Sequence, residues 1–320
     1  MVKLTVAALA ALLSFSTPSS GQEFPSRPIT IIVGLAAGGV SDVVTRLYAE
    51  TVSKMTGYKF VVENRPTGSG AVAAAALQTA QPDGYTLYVL AAAQHATIPA
   101  MDASAPYDPV KGNQPITLLF SIPTLVIVPS DSPANSLTDL TALAKTKSGG
   151  LNVGSPGLGT PSHLSGAKLM ALTKTPSQFV HYRGGAPLLT DLLPGRIDAA
   201  VISPMTAKPH LLDKKIKALS SDGAERWASF ADVPVLRELG LEDATIATWF
   251  GLVAPPGTPE PIVSKLNAAF VAASKDPELR KRLNDNGLGI VTSTPKEMSV
   301  LIAKATTDIA DLVGSLGLRK

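Results

Sequence analysis

The sequence predicts an α/β fold of two lobes, joined by crossover strands, with a ligand cleft between them. Three observations predict it. Apolar, β-branched runs alternate with runs of helical period along most of the chain, the pattern of a parallel sheet covered by helices. Two glycine-rich turns, Gly34–Asp42 and Gly154–His163, each join such a strand to such a helix, one in each half. A length of 320 residues exceeds one core and suits two.

The elements follow in order. Lys3, an apolar run from Leu4 to Phe15 and a stretch of small residues, Ser16 to Gly21, form the charged, apolar, small-residue order of a signal peptide. The run is shorter than the roughly 20 apolar residues that span a bilayer. Ile29–Val33 reads as a strand buried on both faces. Ser41–Met55 places Val44, Leu47, Tyr48, Val52 and Met55 on one helical face, and Gly57 ends it. Phe60–Val62 is a strand, Gly68–Gly70 opens an alanine-rich helix to about Ala80, and Tyr85–Leu90 is a third strand. The pattern loosens from Ala92 to Gln114.

Leu125–Val128 starts the second set of units. Asn135–Lys145 is a helix with Ser136 as cap and Asp139 three residues on. Strand Leu151–Val153 leads through the second glycine turn into helix Pro161–Leu172, where proline suits the first helical position. Strands Phe179–Tyr182, Asp198–Ile202 and Ile216–Leu219 alternate with helices Pro187–Leu193 and Met205–Leu212. Strand Thr248–Val253 is followed by helices Pro259–Ser274, Pro277–Asn286 and Pro295–Leu316, with a short strand Gly289–Thr292 before the last. The expected division is a signal peptide at 1–21, a discontinuous first lobe at 22–121 and 247–320, and a second lobe at 122–246. Strands near Ser121–Val126 and Ala247–Phe250 would cross between them.

Composition narrows the function. Hydrophobic residues make up 45% and charged residues 17%, as in a globular protein. The net charge of +3 is scattered, and aromatics are 5%, which argues against a nucleic-acid surface. With no cysteine, disulfides, zinc–thiolate sites and cysteine nucleophiles are excluded. No Gly-x-Ser-x-Gly and no Gly-Lys-Ser/Thr occurs. Ser162 and His163 are neighbours at a helix start, where side chains diverge, so they do not read as a catalytic pair. His95, His163, His181 and His210 lack metal-ligand spacing. A glycine turn opening a helix points backbone N–H groups and a partial positive charge at whatever lies in front of it, which is an anion site. Asp42 sits in a first helical turn, where capping N–H groups is its simplest role. Arg65 and Arg183 end strands, either to meet a ligand carboxylate or to form salt bridges.

An ordered set of motifs spans Pro25 to Leu316. It includes Phe24-Pro25-Ser26-Arg27-Pro28-Ile29, Ala37-Gly38-Gly39 with Asp42, Val62-Glu63-Asn64-Arg65-Pro66 and Pro82-Asp83-Gly84-Tyr85-Thr86-Leu87. Gly154-Ser155-Pro156-Gly157 with Gly159-Thr160-Pro161-Ser162-His163, and Trp249-Phe250-Gly251-Leu252 with Ala254-Pro255, complete it. In these the chain resembles the extracytoplasmic solute receptors of tripartite tricarboxylate transporters, the Bug family. The resemblance implies a type II periplasmic-binding-protein-like fold, and a ligand carboxylate held by the two glycine turns, partly through water. It implies ligand contacts from Ala36, Ala37, Gly38, Gly39 and Asp42 in the first turn. Gln94 and His95 follow from the loop after the third strand, and Gly157, Leu158, Gly159, Thr160 and Ser162 from the second turn. Tyr182 and Ser203 stand at the ends of later strands.

The chain departs from the family pattern at Gly34 and Ala36, where prolines are common, and at Leu158 and Thr124, where asparagine is. Ile202 and Ser203 replace polar residues. These changes make the expected pocket more apolar and favour an acid with one anchored carboxylate and a less polar remainder, aromatic or dicarboxylic acids being the candidates. The expected protein is a periplasmic monomer that passes its ligand to membrane transporter subunits. It needs no cofactor or metal, binds no nucleic acid and catalyses no reaction. An exported enzyme acting on an acidic small molecule, or a ligand-sensing receptor for a signalling partner, are the alternatives.

Overall fold

Strand and helix alternate from Ile29 to Ser315, as the sequence pattern predicts. The structure is a computed structural model that describes residues 24–246 and 248–319. The expected signal peptide lies outside the described residues. The first run of units is β1 (Ile29–Val33), α1 (Val40–Thr56), β2 (Phe60–Asn64), α2 (Ala71–Gln78), β3 (Thr86–Ala91), α3 (Ala92–Met101) and β4 (Gln114–Ser121). The second is β5 (Leu125–Pro129), α4 (Leu137–Thr146), β6 (Leu151–Ser155), α5 (Pro161–Leu172), β7 (Ser177–His181), α6 (Gly185–Leu192), β8 (Ala199–Ile202), α7 (Pro204–Leu212) and β9 (Ile216–Ser221). The chain closes with β10 (Trp249–Ala254), α8 (Glu260–Ala273), α9 (Pro277–Asp285), β11 (Gly289–Ile290) and α10 (Pro295–Ser315).

These strands make two mixed sheets, ordered β11-β4-β10-β3-β1-β2 and β7-β6-β8-β5-β9. The two-residue strand period sorts the side chains. Ile29, Ile31 and Val33 of β1 pack under α1, α8 and α9, while Ile32 packs with α2 and α10. In the second sheet Val126 and Val128 face α4 and α5, and Leu125 and Ile127 face α6 and α7. Each sheet is thus covered on both faces, and each makes its own α/β lobe. Of the face read for α1, Val44, Tyr48 and Val52 are buried and Met55 is exposed in the last turn.

Two stretches differ from expectation, the first within the region that reads as loose and the second running on from its end. Residues 92–101 form a helix. Its alanines are buried on more than one side, so no amphipathic stripe appears in the sequence. Pro99 lies inside it and cannot donate to the His95 carbonyl one turn back. The Tyr107 hydroxyl donates to that carbonyl instead, at 2.8 Å. Residues 114–121 form β4, a central strand pairing with β10 and β11.

After β4 the chain passes to the second sheet through residues 122–124, and it returns just before Trp249. The two passages touch, with Ile122 N–H donating to the Thr248 carbonyl at 3.0 Å. A buried apolar cluster joins the lobes beside them: Ala93 and Ala96 of α3, Leu164 of α5, Ile246, and Ile309 and Val313 of α10. Elsewhere the lobes meet at the C-terminal end of α9. There Trp227 Nε1 donates to the Asn284 carbonyl at 3.1 Å, and Lys208 Nζ to the Asp285 carbonyl. A cation suits the negative end of a helix dipole.

Candidate functional site

β1 and β3 run parallel, as do β6 and β8. In such sheets, ligands sit beyond the carboxyl ends of the strands. Both glycine turns start there, after β1 and after β6. The second meets the other lobe directly. A Cβ placed on Gly159 would lie 3.1 Å from Met101 Sδ and 3.5 Å from Thr97 Cγ2, both on the helix that β3 feeds.

The first turn is folded by its own side chains. Gly34 passes so close to its neighbours that an added Cβ would lie 2.9 Å from both Gly70 Cα and Tyr88 Oη. Gly38 has φ +77°, a conformation that glycine takes without steric penalty. Its N–H donates to Asp42 Oδ2 at 2.8 Å, and Arg46 Nε donates to Asp42 Oδ1 at 2.9 Å. The carboxylate is therefore fully engaged within the protein. Burial alone would raise its pKa, but the Arg46 bond, with those from Gly38 and Asn64, holds it below the usual aspartate value. Gly39 caps α1 and has no side chain, so the first amides of the helix carry no side-chain cap. Ala36, Ala37, Gly38 and Gly39 are exposed around them.

Asn64 is a residue that sequence reasoning missed in this role. Its Nδ2 donates to the Leu35 carbonyl at 3.1 Å and its Oδ1 accepts from Arg46. The Asn64-Arg65-Pro66 motif marked the position without indicating its partners. Asp42→Ala is expected to lower stability by about 1–2 kcal/mol and to speed exchange of the Gly38 amide. Denaturant unfolding and hydrogen exchange read these two effects.

Gln94 and His95 lie in α3 rather than in a loop, a correction that follows from the unforeseen helix. Gln94 is half-buried at a cavity of about 10 Å³, lined also by Gly34, Ser41, Gly70 and His95. His95 is buried and stacks on Tyr107 at 4.6 Å, and neither ring nitrogen has a hydrogen-bond partner. Burial lowers its pKa to about 4, against weak opposition from the Pro109 carbonyl and Asp108. It is a neutral wall residue at neutral pH.

In the second turn Thr160 caps α5. Its hydroxyl donates to the Gly157 carbonyl at 2.7 Å and accepts from His163 N–H at 3.3 Å. The Gly159 N–H donates to His163 Nδ1 at 3.1 Å. Pro161 brings no N–H to the first helical position. Ser162 follows, buried, and its hydroxyl has no hydrogen-bond partner among the described residues. Gly157 is half-buried, and Leu158 is 52% exposed. His163 lies edge-on to His181, ring centroids 4.5 Å apart, and His181 Nδ1 meets Ser155 Oγ at 2.8 Å. Burial, and then the His181 charge, lower the His163 pKa to about 4. His163 Nδ1 turns to Gly159, not to Ser162, so these neighbours form no nucleophile–base pair.

The remaining predicted residues border this turn. Tyr182 N–H donates to the Ser155 carbonyl at 2.9 Å, but its hydroxyl donates to Asp191 Oδ2 at 2.9 Å. Ser203 caps α7 and accepts from Thr206 N–H at 3.4 Å. Arg65 pairs with Glu63 at 2.7 Å, and Arg183 is exposed at the end of β7. Among the described residues, no group of three or more His, Cys, Asp or Glu is placed to hold a metal ion. No described helix is long and apolar enough to cross a membrane.

The model of the tripartite tricarboxylate transporter family receptor matches residues 44–318. The chain belongs to this family. It is accordingly a periplasmic solute-binding protein rather than an enzyme, working with the membrane subunits of such a transporter. It is 33% identical to a Cupriavidus necator relative, over 98% of this chain and 95% of that one. MatC from Rhodopseudomonas palustris, solved with bound malate, is 33% identical with a TM-score of 0.73, over 91% of this chain and 100% of that one. R. palustris Rpa4515, solved with adipate, is 29% identical with a TM-score of 0.78, over 92% and 99%. The receptor thus shares both sequence and two-lobed fold with solute-binding proteins.

Proposed function

We propose that this receptor captures a small organic carboxylate in the cleft between its lobes, with the carboxylate held by the two glycine turns. The observation that carries the reading is how the turns use their polar groups. Asp42 and Thr160 satisfy inward-facing groups of each turn, which leaves the uncapped amides of α1 and the Ser162 hydroxyl for a ligand. These are neutral donors aided by helix dipoles, suited to an anion that must also be released. The relatives solved with malate and adipate support a carboxylate.

In this reading residues 1–21 are a signal peptide, and the receptor works as a monomer. The lobes divide at 121/122 and 246/247, and closure about the passages between them buries the ligand. Gln94, His95, Tyr182 and Ser203 line the cleft as wall and supporting residues. With Leu158 exposed at its rim, the cleft suits an acid whose remainder is less polar than that of citrate.

Thermal denaturation with acetate, benzoate, succinate, adipate, malate and citrate tests this. A ligand at a hundred times its Kd adds about 2.7 kcal/mol, and at about 2–4 °C per kcal/mol that raises the melting temperature by roughly 5–10 °C. At least one acid should do so, and the unsubstituted acids should outrank citrate. No shift with any of the six would overturn the reading.

A further inference from the structure

Helices α1 and α5 begin in the same way. In each, the residue before the cap is a glycine in the left-handed region, Gly38 at φ +77° and Gly159 at φ +71°. In each, the side chain at the third helical position accepts that glycine's N–H, Asp42 at 2.8 Å and His163 Nδ1 at 3.1 Å. Two other helices put an acid in the same place. Asp139 of α4 accepts from Asn135 N–H, and Glu297 of α10 from Thr294 N–H. Acids are the ordinary choice there, since a negative charge also suits the positive end of the helix.

Only α5, of these four, uses an imidazole. An imidazole accepts through Nδ1 only when neutral and protonated at Nε2. The second turn is therefore closed without charge. At the first turn the Asp42 charge is offset by Arg46, which reaches it at 2.9 Å. Beside His163 the ionisable neighbour in ring contact is His181, whose pKa partial desolvation lowers from the usual histidine value. An acid at position 163 would have no hydrogen-bonded arginine of the kind that Asp42 has, although Lys174 lines the same cavity. It would stand next in sequence to Ser162, with its charge opposing any anion held there.

We infer that His163 is a positioning residue for anion capture, an uncharged cap that folds the second glycine turn without placing a negative charge beside the ligand. The inference rests on the carboxylate-binding reading.

Three substitutions separate the cap from the charge. His163→Asn keeps a neutral acceptor near the position of Nδ1. His163→Asp keeps an acceptor and adds a charge. His163→Leu keeps neutrality and removes the acceptor. The probe is whichever of the six acids above the wild type binds most tightly, measured by calorimetry at pH 7.5, with melting followed in parallel. The Asn variant should bind within about threefold of wild type. The Asp variant should melt like the Asn variant yet bind at least thirtyfold more weakly, with the deficit shrinking at high salt. The Leu variant should bind about tenfold more weakly and exchange its Gly159 amide faster.

Without ligand, ring nitrogen shifts should show His163 protonated at Nε2 alone. Asp binding as tightly as Asn, Leu binding as wild type does, or a proton on Nδ1 would each overturn the inference. A wild type that binds none of the acids, while His163 shows the Nε2 tautomer, would instead overturn the functional reading beneath it.

Discussion

Acidification from pH 7 to pH 4 is expected to weaken the fold by several kcal/mol, with His95 a main source. His95 is buried with both ring nitrogens unpaired, and its pKa falls from 6.5 to about 4. The unfolded chain therefore binds a proton from pH 6.5 downward that the folded protein refuses until about pH 4. Between these values the unfolded state holds more protons, and stability falls as the pH falls. A shift of this size corresponds to roughly 3 kcal/mol. His163, also lowered to about 4, acts in the same direction. His95→Phe keeps a ring against Tyr107 and removes the titration. Denaturant unfolding at pH 7 and pH 4.5 should show the variant losing clearly less stability than wild type. An equal loss in both proteins would refute the assignment.

Asp222→Leu is expected to lower stability by about 3 kcal/mol or more, the largest effect of a single side chain near the lobe junction. Asp222 is buried just beyond β9. It accepts Thr124 N–H at 2.5 Å, the Thr124 hydroxyl at 2.8 Å and the Ser165 hydroxyl at 2.8 Å. Its own N–H returns a bond to the Thr124 carbonyl at 3.1 Å. Thr124 lies in the passage between the sheets and Ser165 in α5, so one carboxylate fixes the passage to the helix that carries the second turn. Leucine leaves the Thr124 N–H and one of the two hydroxyls buried without an acceptor, because the Thr124 and Ser165 hydroxyls, 3.2 Å apart, have only each other left, at about 1–3 kcal/mol each. The melting temperature should fall by roughly 6–12 °C. Asp222→Asn retains one acceptor oxygen and should cost less.

The pH dependence at Asp222 has the opposite sign to that at His95. Burial raises the Asp222 pKa, against the bonds from Thr124 and Ser165. The folded state then holds a proton that the unfolded state has released. Stability is lost as the pH rises from the ordinary aspartate range through that raised value. The difference between His95→Phe and the double variant His95→Phe, Asp222→Asn, in which the remaining His163 contribution cancels, should show this slope. A double variant with the same pH profile as His95→Phe alone would contradict the account.

Much of the fold was legible because its elements keep simple periods. The apolar run Ile29–Val33 and the cap at Ser136 each describe a local structure that its own residues dictate, and Asp139 N–H does donate to Ser136 Oγ, at 3.1 Å. Helix α3 was not legible. It is packed on several sides by small residues and contains Pro99, whose consequence is repaired by Tyr107 from outside the helix. The glycine turns were legible as joins from strand to helix, since glycines between the two need no partner to be noticed. Their fine structure was not. The contact of Asn64 with Leu35 and Arg46 joins residues about thirty and eighteen positions apart, and the exchange of an acid for His163 becomes informative only beside α1.

The central claim is that a carboxylate, held by neutral donors of the two turns, is what the cleft recognises. Calorimetric titration of the protein with whichever of the six acids raises its melting temperature most, and separately with the methyl ester of that acid, tests it most directly. The account predicts saturable binding of one acid per chain and no measurable binding of the ester, which keeps the skeleton and loses the charge. Equal binding of acid and ester, or binding of the ester alone, would contradict it.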